Sequence, residues 1–530
     1  MHPHDWRKAH ERSKPAVTRL AWLGPLAGLA ALLWFLIRVI PKPARAAYPC
    51  QRAAAPLAGG FLVWAAGALG TRLLRRKLLA AGWRGSVVAA VLVAAVYLIW
   101  LPLGIAPEAG AQEAFTPAEP PNQPMGVGKG IHPGRVVWVY EPDATRWDGK
   151  TGNWWDDANT DPKVVSAMLS QALRGLTGEK TDKGAWEALF RYFNRTHGYG
   201  DTGYRRGEKI AIKINSNQDR GGEWKPGAGM HSPQLILALL EQLIRTAGVA
   251  ASDITIYDAS RGIGDPIYQK VKSRPEFQEV RFVVTPKAAG NGRLAAEPDM
   301  DNPVHFAEGA SPAYLPRVVT EAKYLINLAL LRAHTLFGVT LTAKNHFGSV
   351  YFADKGGWTP APLHATGSRS RPMRSYNCLV DLNGHRHLGG KTILYLLEGL
   401  YVAEHQQGSV IRFASFGDRW TASLLASQDP VAIDSVGLDI LRAEPRATQV
   451  RGSADNYLHE AALADRPPSG AVYDPEHDGV RLTSLGVHEH WNNPRDRKYS
   501  RNLGKKEGIE LVVLGKPLPF PAGSAAVTSE

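Results

Sequence analysis

Apolar and polar positions alternate most plainly over residues 208–215, EKIAIKIN, where Ile210, Ile212 and Ile214 fall on one side and Ala211, Lys213 and Asn215 on the other. That period of two predicts a strand. A Gly-rich loop follows over 216–229. Ser232-Pro233 then supplies an N-cap and a first helical residue for a helix reaching about residue 246, along which Leu235, Leu239 and Leu243 keep helical spacing. A second strand at 253–258 completes a parallel strand–helix–strand unit. In such sheets ligands collect beyond the carboxyl ends of the strands, and Asn215, Asp258, Ser260 and Arg261 belong to that edge.

Further strands are expected at 135–140, 281–285, 324–330, 410–413 and 509–514, and helices at 163–176, 392–402 and 430–441. This alternation predicts an α/β fold, a mainly parallel sheet with flanking helices, over residues 134–530. Asp161-Pro162 and Asp429-Pro430 read as helix starts. Trp147, Trp154 and Trp155 crowd the loop after the first strand, where packing beneath the loop suits them better than stacking on a ligand. Residues 107–133 are rich in Pro and Gly and read as a linker.

Ahead of that linker lie three apolar stretches, 20–40, 53–71 and 85–106, the first and third long enough to cross a hydrocarbon core of about 30 Å. They predict an all-α transmembrane module over 1–106 with two or three helices. Charge supports the expectation: residues 1–106 hold fourteen Lys and Arg against two acids, leaving forty-eight bases and forty-seven acids in the remainder of a chain whose net charge is +13. Bases cluster before the first stretch and between the second and third, so the expected arrangement is a multi-pass cell-membrane protein in contact with the lipid bilayer, with its large domain extracytoplasmic. The first stretch can also be read as a cleaved signal, because Ala44-Arg45-Ala46 offers a small-x-small site. With the basic excess confined to the N-terminal part, the rest of the chain lacks the electrostatic footprint of a nucleic-acid binder.

Candidate chemistry gathers behind the apolar run at 324–331. Within the segment YLINLALLRAHTLFGVTLTAKNHFG, residues 324–348, come His334, Lys344, Asn345 and His346, with Gly348 at its end. A base, a cation and an amide so close together suit an anionic ligand. His334 and Lys344 are the candidate catalytic groups, and Lys213, Asn215, Asp258, Asn345 and His346 the candidate ligand contacts. Asp429 and Asp434 fit a helix cap and its first turns, or a hard cation if they face the crevice. His385-x-His387 would offer two imidazoles to one metal ion if the backbone there is extended, and His488-x-His490 repeats the pattern around Glu489. A divalent metal is therefore one expectation. An iron–sulfur cluster is not, since Cys50 and Cys378 are the only cysteines. No G-x-S-x-G, H-E-x-x-H or P-loop motif occurs.

Four segments, residues 210–217, 324–348, 378–402 and 424–441, together resemble the domain of unknown function 362 (DUF362) family, over roughly 205–442. The resemblance implies an α/β fold and no settled activity. Some relatives carry a Cys-rich ferredoxin-like segment; its absence here means that their redox role is not carried over. Two functions follow from the residues and the resemblance together. One is a membrane-anchored protein binding or acting on an anionic small molecule or envelope component; the other is a non-catalytic, membrane-tethered binding or assembly module.

Overall fold

Residues 29–34, 36–37, 114–366 and 371–519 are described by the computed structural model, and the chain divides into one unit over Met1–Ala111 and another over Gln112–Glu530. In the second unit the apolar runs become a nine-stranded sheet. Its strands are β1 (Arg135–Tyr140), β2 (Ile210–Lys213), β3 (Ile254–Asp258), β4 (Arg281–Val284), β5 (Leu294–Ala295), β6 (Tyr324–Leu330), β7 (Thr392–Gly399), β8 (Ser423–Ser427) and β9 (Glu510–Gly515). Side by side they run β9-β1-β8-β7-β6-β2-β3-β4-β5. Every pairing is parallel except the two made by β8, which is antiparallel to both β1 and β7, so the sheet is mixed.

Helices cover both faces: α1 (Pro162–Thr177), α2 (Asp182–Thr196), α3 (Pro233–Glu241), α4 (Asp265–Lys272), α5 (Cys378–Gly384), α6 (Pro430–Arg442) and α7 (Asn456–Ala462). Strand alternation decides which side chain meets which layer. Ile210, Ile212, Ile256 and Ile326 pack with α1 to α4, whereas Ala211, Leu325 and Leu397 pack with α5 to α7. Three helices start where a side-chain oxygen precedes a proline. Asp161 accepts from the amides of Lys163 and Val164, Ser232 from Leu235, and Asp429 from Val431 and Ala432. The tryptophans pack on one another as expected, Trp147 on Trp420 at 5.5 Å and Trp154 on Trp224 at 6.1 Å.

Several expectations need correction. The segment expected as a helix at 392–402 is the strand β7, buried at every position after Thr392 and lying between β8 and β6. A central strand covered on both faces is apolar at nearly every position, and its run of Leu, Ile and Tyr then carries no period of two. The strand expected at 410–413 makes only isolated bridges, Ala403 with Val410 and Phe413 with Arg419. The helix that was to reach residue 246 is α-helical to Glu241 and continues as a π-helical turn, Gln242–Thr246. Residues 114–133 are no free linker: Phe115 is buried in the core, and Met125–Gly126 pairs antiparallel with Val487–His488.

The membrane expectation is corrected as well. In the first unit, residues 29–34 and 36–37 are helical, and among the described residues no helix is long and apolar enough to cross a membrane. Among the described residues the fold is accordingly a mixed α/β structure without an all-α transmembrane module. The multi-pass placement and the extracytoplasmic position of the large domain, which rested on that module, fall with it. Apolar composition and flanking bases favour a span, but neither by itself supplies an uninterrupted helix of spanning length. The stretches 53–71 and 85–106 lie outside the described residues.

Asp429 ties more than its own helix. Its Oδ2 also accepts the backbone amides of Lys129 at 2.8 Å and Val487 at 3.2 Å, which joins three separate segments. Asp429→Ala removes the cap and leaves buried donors unpaired, so a loss of about 2–4 kcal/mol is expected. A lower urea midpoint at unchanged slope would register it.

Candidate functional site

The carboxyl ends of β2, β3 and β6 meet at one edge, and the chain after β6 folds back over them. Arg332–His334 pairs antiparallel with Gly338–Thr340, after which the helical turn Thr342–Asn345 and the 3-10 turn His346–Ser349 cross the strand ends. The turn is held by Asp434 of α6, whose carboxylate accepts from Thr342 N and Oγ1 at 2.8 and 2.6 Å and from Ala343 N at 3.0 Å. Gly348 then passes so close that a Cβ there would lie 2.6 Å from Lys213 Nζ and from Asp258 Oδ1. Only glycine lets the backbone approach in this way.

Lys213 is the node beneath that crossing. With no solvent exposure, its ammonium donates to Ile214 O at 2.5 Å, Asp258 Oδ2 at 3.1 Å and Asn345 Oδ1 at 3.3 Å. Burial lowers its pKa, and the Asp258 charge opposes that shift. Asn345 is fixed in turn, donating to Asn327 Oδ1 at 2.8 Å and to the carbonyls of Leu328 and Lys213. Asp258 also accepts from Ser216 N, Ser260 N and Ser260 Oγ.

Above this network opens a cleft of about 410 Å³, lined among others by Asn215, Asp258, Arg261, Arg332, His334 and Lys344. Arg332 donates to Asn215 Oδ1 at 2.9 Å and Gly229 O at 3.0 Å, and its buried Nε has no partner among the described residues. Arg261 donates to Asn217 and Ser260 oxygens. Neither guanidinium, nor Lys344, meets a carboxylate within ion-pair distance among the described residues. Lys344 Nζ instead lies 4.1 Å from the centre of the Phe347 ring and 4.9 Å from that of Phe337. Burial, aided by the positive charges of Arg332 and Arg261, brings its pKa down to about 7. His334 is nearly buried, which together with the Lys344 charge holds its pKa well below the ordinary value. Its Nδ1 accepts from the amides of Leu336 and Phe337 at 3.0 and 3.3 Å, so the neutral ring carries its proton on Nε2.

The residues singled out from sequence divide into groups. His334, Lys344, Asn215, Asp258 and Asn345 come together at the cleft, with Lys213 paired beneath it. His346 lies behind it, fully buried, with Nε2 3.2 Å from Asn327 Nδ2. Asp429 and Asp434 are occupied by backbone amides, Asp434 also by Tyr457 OH at 3.1 Å. His385 and His387 are adjacent, with ring centres 5.6 Å apart, but reach separately to Pro303 O and Asn302 Oδ1. These four do not converge. Sequence reasoning missed Arg332, His364 and the buried His231–Glu398 pair, which supports Asn215 through His231 Nε2. The available signals were an arginine directly after a buried strand and a single acid, Glu398, within an apolar run.

A second polar cluster lies apart from the residues that line the cleft. Glu119, Asp455, His459 and His488 each aim one potential ligand atom inward, all within 4.8 Å of one another, a group able to hold a metal ion. His490 stands beside them, its Nε2 3.4 Å from Glu119 Oε1.

Fold and cleft define an α/β protein with a cationic site at the carboxyl ends of parallel strands. Residues 210–439 match the family described as Domain of unknown function (DUF362). No curated protein matches. Three chains of solved structures do. One is the lactate racemase apoprotein from Thermoanaerobacterium thermosaccharolyticum, 10% identical, with a TM-score of 0.24 and the match covering 60% of this chain and 62% of that one. The match thus spans less than two thirds of that relative, and a likeness this low carries no argument.

A lysine whose amine is half deprotonated near pH 7 is nucleophilic where surface lysines are not. At pH 7.5, limiting trinitrobenzenesulfonate, an anionic amine reagent, should label Lys344 first among the lysines. Peptide mass spectrometry reads the site, and a labelling midpoint near pH 10 instead of about 7 would contradict the assignment.

Proposed function

We propose that the cleft binds a small anionic molecule bearing a carboxylate or phosphate, and that Lys344 moves a proton at it. The observation that carries this reading is the unbalanced charge of the cleft. Its lining carboxylate, Asp258, is paired with Lys213, while Arg261, Arg332 and Lys344 have no such partner among the described residues. Buried cations without counter-ions are costly, and an anion entering the cleft removes that cost.

Each group then has a task. Arg261 and Arg332, held by carbonyl and amide oxygens that leave their charge intact, attract and fix the anion. His334 donates a hydrogen bond from Nε2. Lys344 has the pKa that suits a general base at neutral pH, and Phe337 and Phe347 keep water from its amine. Asn345 is locked by three hydrogen bonds and holds the turn that carries Lys344 in place. Strongly perturbed pKa values gathered in one cleft support chemistry there.

The test is calorimetry against a panel of small carboxylates and phosphates. At least one should bind the wild-type chain, with an affinity that falls as pH rises through about 7, where Lys344 loses its charge. Arg261→Ala should weaken that binding at least about tenfold, and Lys344→Met should abolish its pH dependence. An affinity that Arg261→Ala leaves unchanged refutes the reading. Retained binding with no proton exchange at the ligand would make the cleft a binding site only.

Stability supplies an independent check. Because Lys344 titrates below its ordinary 10.5 in the folded state, its burial costs stability at and below about pH 7, and that cost fades as pH rises towards 10.5. Lys344→Met should therefore be more stable than wild type at pH 6, on the order of a few kcal/mol. The gap should close by about pH 10; a Lys344→Met chain less stable at pH 6 would show that the amine is not held in this way.

A further inference from the structure

Glu119, from the segment expected as a linker, lies among three imidazoles. Its Oε1 is 3.0 Å from Nε2 of His459, 3.3 Å from that of His488 and 3.4 Å from that of His490. Asp455 Oδ2 lies 3.4 Å from His459 Nε2 and 3.7 Å from His490 Nε2. Three local patterns converge to make this. Asp455 and His459 are four apart at the start of α7, and His488 and His490 are two apart, with ring centres 4.8 Å from each other. The pairing of Met125 with His488 brings in the chain that carries Glu119.

The hydrogen-bond pattern is one-sided. Nε2 of His488 and of His490, Oε2 of Glu119 and both carboxylate oxygens of Asp455 are buried without a hydrogen-bond partner among the described residues. The opposite nitrogens are engaged: His488 Nδ1 with Ser435 Oγ at 2.8 Å, and His490 Nδ1 with Asp439 Oδ1 at 2.7 Å. Asp439 is itself anchored by Trp491 N, Tyr499 OH and Arg442. A hydroxyl behind His488 and a carboxylate behind His490, with the front nitrogen of each bare, is the outer-shell arrangement of histidines that ligate metal. Leaving so many buried polar atoms unpaired is costly, and a ligand that engages them removes that cost.

We propose that Glu119, Asp455, His459, His488 and His490 bind one divalent first-row transition metal ion of the zinc class. Once the three histidines ligate as neutral imidazoles, the two carboxylates leave a charge that a divalent cation cancels. Neighbouring ligands about 2.1 Å from a five-coordinate centre stand roughly 3.0–3.6 Å apart, close to the distances above. Imidazole nitrogens select zinc and its neighbours over magnesium or calcium, which prefer oxygen. Five protein donors leave no open position, so the site is structural: the ion joins Glu119, the start of α7 and the chain at 488–490. Through Ser435 of α6, and through Tyr457 to Asp434, it steadies the turn that carries Lys344.

The full chain, purified without chelating resin, incubated with zinc and desalted, should hold about one zinc ion by plasma mass spectrometry. The His488→Ala/His490→Ala chain should retain less than about a tenth of that. Wild-type protein that takes up no zinc overturns the proposal, and equal zinc in the double variant shows an adventitious ion only, which overturns it too. Because that variant can fail to fold, wild-type protein supplies the second measurement. Chelation with EDTA should lower its thermal transition by about 5 °C or more, and zinc but not magnesium should restore it. A transition indifferent to both EDTA and zinc excludes a structural ion.

Discussion

The arrangement of this site depends on satisfying one buried ammonium. Lys213 ends β2 on the polar side of its alternation, in a position with no access to water, where an uncompensated charge would cost far more than the strand gains by forming. Its partners come from three places: the carbonyl of the next residue in the chain, the carboxylate that ends β3, and the amide of the turn beyond β6. Meeting that requirement pulls three strand ends together and draws the turn across them, with Gly348 allowing the approach. It also takes the cleft's carboxylate at ion-pair distance, which leaves Arg261 and Arg332 without an ion pair among the described residues. Removing one member of such a pair typically costs about 3–5 kcal/mol.

A second layer of order comes from acids that act as caps at a distance. Asp434 lies inside α6, yet its oxygens serve the first amides of the turn at Thr342 and the hydroxyl of Tyr457. The helix thereby links the cleft to α7 and to the histidine cluster, and it does so with rigid, fully engaged groups. Such groups position a neighbour more precisely than a flexible surface contact does, since their rotamers are already fixed by packing.

Much of this was legible in the sequence. The alternation of EKIAIKIN, and the Asp or Ser before a proline at three helix starts, are local signals that the structure honours. So was the gathering of His334, Lys344 and Asn345, because a buried strand must deliver the residues after it to the sheet edge. What failed was information that is not local. TILYLLEGL is apolar at nearly every position because β7 is covered on both faces, and burial on both sides erases the period that separates strand from helix. The His488-x-His490 spacing was visible, but its partners Glu119 and His459 stand far away in sequence and belong to elements with no motif of their own. Residues 114–133 looked like a tether because Pro and Gly dominate them; their apolar and acidic side chains, few in number, nevertheless bury and bond. The N-terminal stretches show the same limit from the other side, composition suggesting a span that no described helix supplies.

The position of β8 has a consequence for where this protein begins and ends as a folding object. The family match covers 210–439, and so includes β2 to β8 but neither β1 nor β9. Within the intact chain, β1 pairs with β8 along its whole length, and β9 closes the edge beyond it. A fragment cut at the limits of the match would leave the outer edge of β8 with its amides and carbonyls bare, an invitation to pair with a neighbouring molecule. The recurring sequence unit and the self-sufficient physical unit are therefore different objects, and the strands outside the match serve as its selvedge.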